Sequence, residues 1–190
     1  MVDNTLDYQA LFEQNSFAEL VSLAQSRNLN VQDNPHDCRY LAASLFRLGN
    51  FVEALPLLEE LLSIYQEDPD HLSLLAATYR RIGQLDHASQ YFEKALAIKP
   101  DSLSIKNNFA NLLIDQKKYD EASSILDSLL EIKPDYEDAV ANKQRLLALR
   151  KHHENPSLDN STYDPLSLAF APDEVKSARS RYFKPKSSST

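Results

Sequence analysis

The chain of 190 residues contains only two glycines, Gly49 and Gly83, and they stand 34 residues apart. The same interval separates Ala54, Ala88 and Ala122, and likewise Phe51, Leu85 and Tyr119. Pro100 and Pro134 keep it at a second phase, Pro35 and Pro69 at a third. Self-similarity at this length points to stacked repeats, in which one unit cannot bury its apolar face alone and does so against its neighbours.

Within a unit the apolar spacing is helical. Leu72, Leu75, Ala76 and Tyr79 recur at steps of three and four, and Leu85, Ala88, Tyr91/Phe92, Ala95 and Ile98 form a second stripe after Gly83. Glycine between the stripes suits a left-handed C-cap and a tight turn. Pro100 then ends the second helix, and Asp101 or Ser102 caps the next. Each unit is expected to be two antiparallel helices of about 12–14 residues.

These residues in this order resemble the tetratricopeptide repeat (TPR) family. The clearest copy reads Leu72-x-x-Leu75-Ala76-x-x-Tyr79, then Gly83-x-Leu85-x-x-Ala88-x-x-x-Phe92-x-x-Ala95, then Pro100. One flanking copy carries Leu41-Ala42-x-x-Leu45, Gly49, Phe51, Ala54, Leu58 and Leu61. The other carries Phe109-Ala110-x-x-Leu113, Tyr119, Ala122, Leu126, Leu129 and Pro134. The chain departs from the family pattern where Cys38, Leu72 and Lys106 replace tryptophan, Lys117 the turn glycine and Gln66 the final proline. The resemblance implies an all-α, right-handed α-solenoid of antiparallel helix pairs, with repeats at 35–68, 69–102 and 103–136.

Weaker signals flank the repeats. Phe17, Glu19 and Leu20 fall in register with Phe51, Glu53 and Ala54, so residues 1–34 are expected to hold a degenerate helix pair or N-terminal cap. Residues 137–151 carry one unpaired stripe (Ala139/Val140, Lys143, Leu146/Leu147, Arg150), the pattern of a capping helix. Pro56 falls early in a second helix and predicts a kink or a late start there. Residues 152–190 hold four of the nine prolines and eight serines, a composition that predicts disorder, with a short helix around Pro172–Phe183 as the one ordered alternative. From Lys176 to Lys186 this tail carries five basic residues and no acid.

The rest of the composition excludes more than it assigns. A formal charge of −8 argues against coating nucleic acid, because phosphate binding needs massed Lys and Arg. Cys38 has no second cysteine to pair with, no apolar run is long enough for a membrane helix, and the N-terminus lacks the pattern of a secretory signal. The expectation is a cytoplasmic, acidic protein without stable membrane insertion. His36, His71, His87, His152 and His153 show no metal-ligand spacing, and there is no phosphate loop. Cys38 lies on an apolar helix face, where a buried thiol is inert. No catalytic residue, cofactor or metal is predicted, and the chain is not expected to be an enzyme.

The resemblance also implies a binding surface, since the first helices of successive TPRs line a groove that takes an extended peptide or a partner helix. By repeat phase the candidates are His36, Arg39, Tyr40, Phe46 and Arg47, then Asp70, Ser73, Leu74, Arg80 and Arg81. Asn107, Asn108, Asn111 and Asp115 follow from the third repeat, and Asn142 and Arg145 from the capping helix. Guanidinium forks bind carboxylates bidentately and asparagine amides hold a peptide backbone. Pairing of these arginines with acids on adjacent helices is the alternative. The Lys/Asn carboxylate clamp of some TPR co-chaperones is not expected, because Arg39 and Ala43, and Ser73 and Ala77, occupy its first positions, and only Asn108 matches a later one. The functional expectation is a non-catalytic scaffold or adaptor for an extended or acidic peptide, with an assembly chaperone for a multi-subunit or membrane complex as the alternative.

Overall fold

The computed structural model describes residues 7–154, and all regular structure among them is helical. In chain order the helices are α1 (Tyr8–Glu13), α2 (Phe17–Ser26), α3 (Pro35–Arg47), α4 (Phe51–Leu61), α5 (Pro69–Arg81), α6 (Leu85–Ile98), α7 (Leu103–Asp115), α8 (Tyr119–Ile132) and α9 (Glu137–Glu154). The tail beyond Glu154, with the disorder and the Pro172–Phe183 helix expected of it, lies outside the described residues; α9 itself runs past the expected end at 151.

Local chemistry starts these helices. Proline occupies the first turn of α3 and α5, where its missing N–H leaves no partner wanting. Asp68 caps α5, accepting from the backbone N–H of Asp70 at 2.9 Å and of His71 at 3.0 Å.

The turns repeat more faithfully than the residues that make them. Backbone φ is positive at Asn15, Gly49, Gly83 and Lys117, each 34 residues from the next. At each turn the following N–H reaches back over the helix end: Ser16 to Leu11 O at 2.9 Å, Asn50 to Leu45 at 2.8, Gln84 to Tyr79 at 2.9 and Lys118 to Leu113 at 2.8. This is one C-terminal cap used four times, with the left-handed residue at the same position. Glycine enters that region without strain, asparagine at modest strain, and lysine at the full steric cost. The fold therefore imposes the turn at Lys117 against local preference.

Side chains of the second helices keep the same order. Ala54, Ala88 and Ala122 are fully buried and let neighbouring helices approach, while Leu58, Phe92 and Leu126 fill the next layer. In α2 the sizes are exchanged, with Leu20 and Ala24 at these two positions and both buried. That swap conserves volume, the kind of change a packed core accepts most readily. Pro56 sits inside α4, which nevertheless begins at Phe51, so the expected late start does not occur. The shortening is at the other end: α4 has 11 residues where α6 and α8 have 14.

Each second helix packs on its own first helix and on the next unit's first helix, as α4 does on α3 and α5. Three core clusters result, around Leu20, around Leu75 and Phe92, and around Leu126 and Leu146. The first helices α1, α3, α5, α7 and α9 form a common wall. Along it α1 touches α3, and α5, α7 and α9 succeed one another in contact, whereas α3 and α5 approach less closely.

Candidate binding groove

The gap between α3 and α5 is where the wall opens. A cavity of about 280 Å³ lies there. Phe12 of α1 forms one side; His36, Arg39, Tyr40 and Ala43 of α3, Leu58 of α4, and Asp70, His71 and Leu74 of α5 complete it. Tyr40 is held by Phe12 at 5.6 Å between ring centroids and by the edge of His36 at 5.3 Å. The small side chain of Ala43, at a position where a clamp residue would stand, leaves room for the cavity.

Its polar groups are mostly committed. Arg39 binds Asp68 at 2.9 Å and lies 4.4 Å from the Tyr65 ring centre. His71 is buried, with Nε2 3.0 Å from the Leu58 carbonyl. A carbonyl only accepts, so this nitrogen carries the proton. Burial holds the His71 pKa below its usual 6.5, helped by Arg39, while the Leu58 bond and Asp68 oppose the shift. Asp70 is the exposed carboxylate at the rim, with Lys99 no nearer than 4.0 Å.

The other half of the wall is closed by its own side chains. Asp115 receives Arg80 at 2.7 Å on one oxygen and Arg145 at 2.6 Å on the other. Arg145 also donates to Asn111 at 3.3 Å, and Asn142 donates to Asn107 at 2.8 Å. These bonds tie α5, α7 and α9 together, and Asn107 is itself buried.

The sequence candidates thus separate. Arg39, Tyr40 and Leu74 line the cavity together with His36 and Asp70. Arg80, Arg145, Asn107, Asn111 and Asn142 form the polar ladder. Phe46 packs against Phe51 at 5.2 Å, Arg81 lies over that same ring at 4.4 Å, and Ser73 is buried, so these three serve packing. Arg47 is exposed in the last turn of α3, and Asn108 is half-buried on α7. The picture of freely converging arginines needs correction, because three of the five, Arg39, Arg80 and Arg145, are held by aspartates of the chain. Phe12, Ala43, Leu58 and His71 were not among the sequence candidates. The ladder did have a sequence signal: its partners lie 34 or 35 residues apart (Arg80 and Asp115, Asn107 and Asn142, Asn111 and Arg145), which places them on adjacent first helices.

Among the described residues no cluster of His, Cys, Asp or Glu has the arrangement of a metal site. Burial, with Asp37 and Glu60 nearby, pushes the Cys38 thiol up to about 11. At neutral pH it is a protonated core side chain, not a nucleophile.

Models of the tetratricopeptide repeat match residues 37–101 and 79–149. The chain belongs to the tetratricopeptide repeat family. Its described fold is a TPR solenoid, and the wall of first helices is the inner face of that coil. Solved structures of MamA are similar to it. MamA of AMB-1 is 15% identical over 90% of this chain and 92% of that one, with a TM-score of 0.62. MamA of MSR-1 is 14% identical over 90% and 92%, at 0.58. A MamA fragment from Desulfovibrio magneticus RS-1 is 18% identical over 68% and 75%, also at 0.58. Identities this low speak for the shared fold alone. No curated protein matches the chain. No helix among the described residues is long and apolar enough to cross a membrane.

Proposed function

We propose that this TPR protein is a non-catalytic, cytoplasmic adaptor that holds an extended segment of another protein along its inner wall. The TPR repeats support a protein-interaction scaffold in general; the cavity between α1, α3 and α5 is the observation that supports a particular anchor point. Its walls carry Phe12, Tyr40, Ala43, Leu58 and Leu74 beside the committed Arg39 and His71, its rim carries Asp70, and it is large enough for one apolar side chain of a ligand. We infer the acidic-peptide ligand only in a narrower form. Arg80 and Arg145 share a single carboxylate, so one positive charge is left over at the α5–α9 end of the wall. An acidic side chain of the ligand suits that end and not the cavity.

The test is affinity capture with mass spectrometry, comparing the wild type with Ala43→Arg, which fills the cavity. Loss of the same captured protein, with the melting temperature unchanged, is the expected outcome. Equal capture by both chains would remove the cavity from the binding surface.

A further inference from the structure

One wall position of the repeat reads Ala43, Ala77, Asn111 and Arg145, each 34 residues from the next. The alanines keep the wall low, Ala43 at the cavity and Ala77 buried on α5. Asn111 and Arg145 rise from α7 and α9 and are bonded to each other. On α5 the steps Leu74, Ala77 and Arg80 lead from the cavity to the charged cluster, three residues at a time along one side of the helix. An apolar anchor and a cationic one thus share one face, with a small side chain between them.

The two arginines are not equally engaged. Arg145 gives Nη2 to Asp115 and Nη1 to Asn111, and its Nε is buried without a partner. Arg80 gives Nη1 to the other oxygen of Asp115. That leaves the Nε–Nη2 edge of its fork, the geometry that takes a carboxylate side-on. One carboxylate there brings the Arg80–Asp115–Arg145 cluster to neutrality. A phosphate dianion would set a second negative charge against Asp115, so the fit is to aspartate or glutamate.

The separation of the anchors fixes a spacing in the ligand. Leu74 and Arg80 are six residues apart on α5, about 9 Å along the axis. Across the wall, the cavity lies between α3 and α5, while the Arg80 guanidinium reaches Asp115 of α7, a lateral step of about 8–10 Å. Together these place the anchors about 12–13 Å apart. An extended chain advances about 3.3 Å per residue and turns alternate side chains to opposite faces. A separation of two residues is too short, and three or five turn the second side chain away from the wall. Four residues span about 13 Å with both side chains on one face.

We propose that the extended segment held by this wall carries an apolar side chain and a carboxylate four residues apart, the first in the cavity between α3 and α5 and the second on the open edge of Arg80. The spacing is the same for either direction of the ligand chain. This rests on the cavity being a peptide anchor, as proposed above.

The probe is a displayed library of random dodecapeptides selected on the full-length protein, followed by anisotropy titration of labelled, end-blocked peptides from it. Expected is enrichment of an aliphatic or aromatic residue with aspartate or glutamate four positions away. Moving the acid to three or five positions, or replacing it by phosphoserine, is expected to weaken a selected peptide about tenfold. Arg80→Gln keeps Asp115 paired with Arg145, and in it the position of the acid ceases to matter while the apolar residue is still required. If Arg80→Gln fails to fold, Arg80→Lys, which keeps the charge and loses the fork, is expected to lose the same preference. An acid enriched about seven or eight positions away, the spacing of a helical ligand over this distance, overturns the proposal. So does an acid preference that the Arg80 variants retain. Apolar peptides with no fixed acid, lost in Ala43→Arg, defeat this inference and leave the adaptor anchor standing. Binding that Ala43→Arg leaves unchanged removes the cavity anchor and this inference with it, and so does a selection that enriches no peptide.

Discussion

The two halves of the inner wall are built from the same helix hairpin, yet one is open and the other sealed. Around α3 and α5 the first helices stand apart and small Ala43 leaves space. From the end of α5 to α9 the helices are in contact, and Asp115, Asn111 and Asn107 bind Arg80, Arg145 and Asn142 from helix to helix across the groove. The period dictates which residues pack, because each core layer must meet the next unit. It leaves the wall-facing positions unconstrained, and there the halves diverge.

The largest effect is expected from breaking the sealed half. Asp115→Ala leaves two guanidiniums, with side chains 16% and 11% exposed, facing each other without a counter-charge. Loss of about 2–4 kcal/mol is expected in urea unfolding, toward the lower end of what a buried pair costs because water reaches part of it. For the same reason Arg80→Glu, which sets two carboxylates side by side, is expected to lower stability and is unsuited as a surface control.

Next come the turns that both halves share. Gly83→Ala places a Cβ on a backbone with φ of 83° but meets no atom within 4 Å, so only backbone strain opposes it. A loss of about 1–2 kcal/mol in thermal or urea unfolding is expected. Lys117→Gly, at φ 63°, relieves the same strain and is expected to gain about 1 kcal/mol. Equal, opposite shifts would show that the four caps are one structure; no gain at 117 would show that the sealed half compensates its lysine by other means.

A smaller effect distinguishes the open half by pH. His71 is kept neutral by burial, so its folded pKa lies below the unfolded 6.5. The unfolded chain then binds this proton first, and stability from the group is complete above about 6.5 and is lost as pH falls through the folded value. The slope of stability between pH 7 and pH 5 is expected to flatten in His71→Gln, while Asp115→Ala keeps it. Smallest is Ala43→Arg, at a half-buried site beside open space, with a shift under about 0.5 kcal/mol expected in melting. A large loss there would mean that the cavity is part of the packed core.

Much of this was legible in the residues. Two glycines and the proline and alanine phases were enough to place the hairpins of α3 to α8, and Gly49 and Gly83 lie at the left-handed turns they implied. The equivalent turns at Asn15 and Lys117 were legible only through the interval, since neither residue prefers that backbone strongly enough to announce it. The cavity was not legible. Phe12 reaches it from a six-residue helix whose phase is weak, and the separation of α3 from α5 belongs to no single residue. The arginine pairings were available in principle from partners one repeat apart, but identity alone does not say whether a guanidinium faces a ligand or the next helix.

What the chain's own order determined is the repeating hairpin, because burial of small and large apolar side chains at a constant interval admits only stacked helices. Which stretch of the inner wall closes on itself and which stays open was decided in three dimensions, where a fraction of a helix diameter between neighbours separates a hydrogen-bonded seam from a cavity.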